Sequence, residues 1–194
     1  IATNENDILA RTLRTGRYEM RAVTATTSPS MDIQISSNFE RLLFECHDRD
    51  ASQIRQYMSG LKQSGAFTID PQALKAMRKI FSAGKATRKQ TDATIAEMHQ
   101  RAGYLLDPHT AVGVHVSKRF EKPNAPMITL ATAHPAKFPD AVKSASGIDP
   151  ALPSWLSELM VREERFDKLQ PDLDVIETYI ARNAGAAKLT RNKI

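Results

Sequence analysis

Ser36, Asn38 and Arg41 lie in the run Thr27-Ser28-Pro29-Ser30-Met31-Asp32-Ile33-Gln34-Ile35-Ser36-Ser37-Asn38-Phe39-Glu40-Arg41-Leu42-Leu43-Phe44, at the point where an apolar helical pattern begins. Phe39, Leu42, Leu43 and Cys46 fall at i, i+3, i+4 and i+7, so four apolar side chains share one stripe and a helix is predicted. Asn38 and Arg41, three residues apart, share a second face near the first turn, where backbone N–H groups lack intrahelical partners and the helix dipole is positive. A phosphate would find several donors there, the planar fork of Arg41 among them. The same residues also read as an ordinary helix start. Ser37-Asn38-Phe39-Glu40 has the form of a capping box, in which Ser37 takes a backbone N–H and Glu40 bonds back, making Ser37 a cap and not a ligand.

Thr132 stands where a strand should give way to a helix, and ligands in open α/β sheets collect at the carboxyl ends of strands. Taken alone, a threonine there is a turn or cap residue. Lys137 follows Pro135 in a first helical turn, where a solvent-facing lysine is the default. His47, His99, His109, His115 and His134 are scattered without zinc-type spacing, which argues against a metal centre. His134, ahead of Pro135, reads as a cap and cavity wall. Asp107-Pro108-His109-Thr110 reads as a helix start with Asp107 at the N-cap and Pro108 at the first helical position.

The elements that must position these residues are legible as alternating helix and strand signals. A helix from about Asn6 to Gly16 buries Leu9 and Leu13 and stops on the glycine. A short strand is predicted over 21–25, then a loop with Pro29 leads to the signature helix. Ile54, Tyr57, Met58 and Leu61 repeat the helical spacing, as do Leu74, Met77, Phe81 and, one turn around, Ile80. Between them 66–69 reads as an edge strand, Asp70-Pro71 as a start signal, and 91–102 as a further helix ending before Gly103. Strands are then predicted over 104–106 and 127–131, with helices from Pro108 and Pro135. The alternation favours an α/β fold whose mostly parallel sheet is covered by helices. Four segments follow: an α/β core segment 1–49, a helical subdomain 50–102, a second α/β core segment 103–147, and C-terminal helices 148–194 marked by Trp155, Leu156, Leu159, Leu173, Ile176, Tyr179 and Ile180. The basic tail after Gly185 reads as frayed.

Composition narrows the function classes. With 194 residues and 41% hydrophobic content the chain can bury one sizeable core. Its single cysteine, Cys46, on an apolar helix face, excludes an intrachain disulfide and suits a reducing compartment. No apolar run reaches the roughly 18 residues of a membrane span and no signal-peptide pattern opens the chain, so a soluble cytoplasmic protein is expected. The net charge of +5 raises nucleic acid as a partner, around Lys79, Lys85, Arg88 and Lys89. Aromatics at 6% do not interleave with these cations to form a stacking platform, which favours a solvated helical surface.

The signature run resembles the most recognisable block of threonine synthases, pyridoxal-phosphate enzymes of fold type II. Three further blocks follow the family's order: Ile1-Ala2-Thr3-Asn4-Glu5-Asn6-Asp7-Ile8-Leu9, Leu106-Asp107-Pro108-His109-Thr110-Ala111-Val112-Gly113, and Leu130-Ala131-Thr132-Ala133-His134-Pro135-Ala136-Lys137-Phe138-Pro139. The resemblance implies conversion of O-phospho-L-homoserine and water to L-threonine and phosphate, with pyridoxal 5'-phosphate as cofactor. It implies that Thr132 places its hydroxyl on the cofactor's pyridine nitrogen and that Ser36, Asn38 and Arg41 bind the substrate's phosphate. These three match the Ser, second Asn and Arg of the Asn-Ser-x-Asn-Pro-x-Arg segment in the family's shorter-chain branch, where Ile35 and Phe39 depart from it. The family's Schiff-base lysine and glycine-rich phosphate loop precede the position of Ile1. The resemblance therefore implies a C-terminal fragment, inert alone, with no catalytic residue of its own, no cofactor on Lys137, and Asp107 to Thr110 as an active-site wall. Its partner would be the missing N-terminal part of the same protein, as monomer or homodimer, and neither nucleic acid nor membrane. A non-catalytic or related phospholyase member binding a phosphorylated ligand is the alternative.

Overall fold

Aspartate or threonine ahead of a helical run sets where several helices begin. In the computed structural model, which describes residues 1–185, the chain divides into one unit over Ile1–Leu152 and a second from Pro153 onward. In the first unit, strand β1 (Ala2–Thr3) leads to helix α1 (Ile8–Thr15) and strand β2 (Arg17–Glu19). Helices α2 (Phe39–Cys46) and α3 (Ala51–Ser64), strand β3 (Ala66–Thr68), helix α4 (Pro71–Ile80) and strand β4 (Gly84–Lys85) follow. Helices α5 (Arg88–Ala102), α6 (Pro108–Ser117) and α7 (Pro139–Ser146) complete the unit. Strand β1 pairs in parallel with β4, and β2 pairs antiparallel with β3 in the register Tyr18 to Phe67.

The start of α4 shows the capping physics: Asp70 lies outside the helix and its carboxylate accepts the amides of Gln72 and Ala73 at 2.8 and 3.2 Å. Helix α5 begins three residues before the predicted Thr91, because Thr87 and Gln90 form a reciprocal capping box. Gly16 ends α1 in the left-handed conformation at φ 79°, where a β-carbon would also meet Leu74 at 2.9 Å.

The main core lies among α1 to α4. Phe39, Tyr18, Phe67 and Tyr57 stack in one column, with successive ring centroids 5.5, 4.9 and 4.8 Å apart. The Tyr57 hydroxyl accepts the Asp70 amide at 2.9 Å and lies 3.0 Å from His47 Nε2, while His47 Nδ1 donates to the Leu43 carbonyl at 2.7 Å. Leu43 and Met77 are fully buried beneath the column. A smaller cluster of Ile95, Leu106 and Ala111 joins α5 to α6, with Ala145 of α7 against it. In the segment 50–102, helices α3 and α4 pack on α2, and α5 packs on α6 and α7. In the second unit, a single turn at Ser154–Leu156 precedes helix α8 (Leu173–Asn183), capped by Asp172. The tail after Gly185 lies outside the described residues.

Several local expectations are corrected. Residues 21–25 form no strand: Asn6 takes the backbone of Thr24 instead, its side chain accepting the Thr24 amide and donating to the Thr24 carbonyl, both at 2.8 Å. Residues 104–106 and 127–131 run without ladder partners among the described residues, because a strand needs a neighbour as well as an apolar sequence, and Ile128 and Leu130 stay exposed. Ile80, one turn around from the Leu74 and Met77 stripe, is exposed at the C-terminal end of α4. The capping box at Ser37 is absent, since Asn38 already has helical angles (φ −68°, ψ −20°) and no side chain caps α2.

Candidate active site

The loop before α2 is fastened by a polar network rather than by strands. Asp32 Oδ1 accepts from Asn4 Nδ2 at 2.7 Å, Asn6 Nδ2 at 2.9 Å and the Thr26 hydroxyl at 2.7 Å, and Oδ2 accepts the Thr26 amide at 2.8 Å. Ser28, also buried, accepts from Asn4 Nδ2 at 3.0 Å. Buried polar groups are tolerated when they satisfy one another in this way. The network fixes the loop that carries Ser30.

Ser30 meets the start of α6. Asp107, 1% exposed, caps that helix: its Oδ1 accepts the amides of His109 at 2.8 Å and Thr110 at 3.3 Å, and also faces His109 Nδ1 at 3.1 Å. Its Oδ2 accepts the Thr110 hydroxyl. Ser30 donates its amide to His109 Nε2 at 3.3 Å, so that nitrogen is the acceptor and the ring proton sits on Nδ1, donated to Asp107. The His109 ring packs against Phe138 with centroids 4.6 Å apart.

The other arm reaches Thr132, whose amide donates to the Thr110 hydroxyl at 3.2 Å. The Thr132 side chain is exposed and its hydroxyl makes no hydrogen bond among the described residues. Thr132 borders a cleft of about 630 Å³ together with Ser30, Met31, His109, Gly113 and Leu130. One wall of this cleft is set by Gly113, where a β-carbon would lie 2.9 Å from the Thr129 methyl. His134 accepts the Ala136 amide at 3.2 Å and so caps the turn Pro135–Lys137, as its sequence position suggested. Lys137 is exposed, its ammonium 5.9 Å from the Phe138 ring centre.

The signature segment lies elsewhere. Arg11, almost wholly buried, donates to Asp7 at 2.8 Å and to the Glu19 carbonyl at 3.0 Å, and Gln34 approaches the same guanidinium at 3.4 Å. Burial works to raise the Asp7 pKa, but Arg11 and Lys85, the latter 3.2 Å away, outweigh it and hold the carboxyl below its ordinary value. The Ser36 amide donates to the Tyr18 hydroxyl at 2.8 Å, and burial pushes that phenol's pKa up. The first amides of α2 are not left open as the sequence suggested. Those of Phe39, Glu40 and Arg41 reach the carbonyls of Ser36, Ser37 and Asn38 at 3.1, 3.4 and 3.3 Å, because the chain enters through tight turns. Arg41 is exposed, has no ion-pair partner among the described residues, and lines a separate cleft of about 760 Å³ with Glu40, Glu45, Arg55 and Met58. Arg41 and Thr132 therefore face different clefts.

Residues 110–180, which include Thr132 but not the signature segment, match the family model described as "Threonine synthase, C-terminal". A threonine synthase from Pseudomonas aeruginosa is 41% identical over 190 residues, a match covering 97% of this chain. Along nearly its whole length the chain is similar to threonine synthases. It spans about 40% of that relative's length. Among solved structures, a PLP-bound threonine synthase from Brucella melitensis is 58% identical and superposes with a TM-score of 0.86 over 95% of this chain and 40% of its own. The yeast threonine synthase, at 37% identity, gives 0.79 over 93% of this chain and 40% of its own. These similarities support the α/β assignment, with helices on parallel strands.

Asp107, His109 and Thr110 are the residues whose joint role the sequence reading missed. Asp107 was legible as a helix cap, but a cap uses one carboxylate oxygen. The second oxygen takes the Thr110 hydroxyl, and what joins that pair to the cleft is the contact of Thr110 with Thr132, 22 residues distant in sequence.

Proposed function

We propose that this chain forms part of a threonine synthase that converts O-phospho-L-homoserine and water to L-threonine and phosphate, using pyridoxal 5'-phosphate. The observation that carries this reading is Thr132: its amide is fixed by Thr110, its hydroxyl is uncommitted, and it borders a cleft. Such a residue suits a ring nitrogen that needs one neutral hydrogen-bond partner. Pyridoxal phosphate, when bound, supplies the electron sink for proton removal next to the substrate's amine. A hydroxyl at Thr132, unlike a carboxylate, does not favour protonation of the ring nitrogen, so more of the work falls to acid–base groups. The proton-shuttling lysine and the cofactor-phosphate loop are assigned to residues outside this chain, which would be inert without them.

Ser36, Asn38 and Arg41 are proposed to hold the substrate's phosphate. The support is chemical: an uncommitted guanidinium on the first turn of a helix, close to the Asn38 amide group in sequence. The reaction class would be carbon–oxygen lysis of a phosphate ester, carried out in the cytoplasm as part of threonine biosynthesis. Phosphate release from O-phosphohomoserine by the full-length polypeptide tests the proposal. Threonine and phosphate formed in equal amounts, only with pyridoxal phosphate present, are expected. Cofactor and ligand binding without turnover would instead indicate the non-catalytic family member.

A further inference from the structure

The start of α6 joins two loops that are distant in sequence. One buried carboxylate directs two side chains, and each of those binds the backbone amide of a different loop. Through Thr110 the carboxylate reaches Thr132, and through His109 it reaches Ser30. Both loops border the same cleft.

Resting on the functional reading above, we infer that Asp107 is a positioning residue which, through Thr110 and His109, fixes Thr132 and the Ser30 loop at the border of one cleft. It touches neither substrate nor cofactor.

The chemistry of each link sets its direction. An ionised carboxylate only accepts, so it orients the Thr110 hydroxyl proton toward itself and leaves that oxygen's lone pair to the Thr132 amide. In the same way it holds the His109 proton on Nδ1 and leaves Nε2 to the Ser30 amide. An amide in place of the carboxylate would donate to one of these partners and reverse that link. The three side chains that make the links are nearly buried: Asp107, His109 and Thr110 are 1%, 8% and 4% exposed, so water cannot readily replace a lost partner. Thr132 itself is held by its backbone, leaving its side chain available. A displacement of about 1 Å at such a residue can cost on the order of 100-fold in rate, which is why the supporting contacts matter.

The test uses the full-length polypeptide and four variants, Thr110→Val, Thr110→Ser, His109→Phe and Asp107→Asn, read first by peptide-resolved hydrogen exchange. Thr110→Val should speed exchange at the Thr132 amide by roughly threefold to tenfold, as expected for one lost hydrogen bond, and leave Ser30 unchanged. His109→Phe, which keeps a ring against Phe138, should do the reverse. Asp107→Asn, which reverses one link and keeps an acceptor for the other, should release the amide on the reversed link only, and Thr110→Ser should release neither. Uniform acceleration along the chain, or no change at either amide, would overturn the inference.

The second readout is the absorbance of bound pyridoxal phosphate with the kinetic split. In Thr110→Val the band should shift and kcat fall by up to about 100-fold with KM nearly constant, and Thr110→Ser should restore both. A wild-type polypeptide that neither binds pyridoxal phosphate nor releases phosphate would sink the functional reading alone. The exchange pattern would still decide whether Asp107 positions the two loops.

Discussion

Thr132 and Arg41 are held in opposite ways. Thr132 is fixed at its backbone by a buried hydroxyl that is itself oriented by a buried carboxylate, and its side chain is left free. Arg41 projects from an exposed helix turn whose own supports lie two layers back, in Tyr18 and Arg11. A hydrogen bond to one ring atom is directional and rewards fixed geometry. Attraction between a guanidinium and a phosphate falls off slowly with distance and tolerates a long, mobile side chain. On the proposed assignment, the cofactor end depends on a rigid frame and the phosphate end on charge.

The largest effect expected in breaking this comparison comes from the frame beneath the signature segment. Arg11→Ala leaves Asp7 to Lys85 and takes a buried guanidinium from Asp7, the Glu19 carbonyl and Gln34, and a loss of about 3–5 kcal/mol in unfolding free energy is expected from denaturant melts. Leu43→Ala, in the core under α2, should cost about 2–5 kcal/mol by the same measurement. Neither change touches a ligand.

Arg41→Ala sharpens the other side. With no partner to lose among the described residues, it should leave the melting temperature unchanged. Transition-state stabilisation for phosphohomoserine should weaken by about 1.5–3 kcal/mol, the range for hydrogen bonds to charged groups. Unaltered KM and kcat/KM would remove Arg41 from the site. Thr132→Val should cost about 1–3 kcal/mol in kcat/KM, at least as much as Thr110→Val, with Thr132→Ser recovering it.

The smallest effect is the acid response of the frame. Asp7 has its folded pKa depressed by Arg11 and Lys85 against the opposing pull of burial. Its contribution to stability is therefore complete above the ordinary carboxylate value and is lost as pH falls through the lower, folded value. Asp7→Asn should flatten the acid limb of a stability–pH curve and leave its neutral-to-basic limb unchanged in slope.

The helices were largely legible because their signals are local. Asp70-Pro71 and Asp107-Pro108 marked starts, Gly16 and Gly103 marked stops, and the stripe of Phe39 and Leu43 was buried as its spacing required. The strand over 66–69 was found within a residue, and it pairs at the edge with Arg17–Glu19, a partner the sequence did not mark. Residues 104–106 and 127–131 had the composition of strands but no ladder, since pairing depends on a second segment. The supports of the site were illegible for a related reason. Asn4 and Asn6 meet Asp32 across more than twenty residues, and nothing local distinguishes them from surface carboxamides. The basic residues Lys85 and Arg88 pair with Asp7 and Asp92.

The aromatic column has a practical consequence. Tyr18 and Tyr57 are stacked within the first unit, whereas the chain's one tryptophan, Trp155, belongs to the second and is 77% exposed. Near-ultraviolet circular dichroism from the stacked aromatic column would report on the first unit, and indole emission on the second. Two optical channels thus come with the polypeptide, and their melting curves can be recorded side by side without a label.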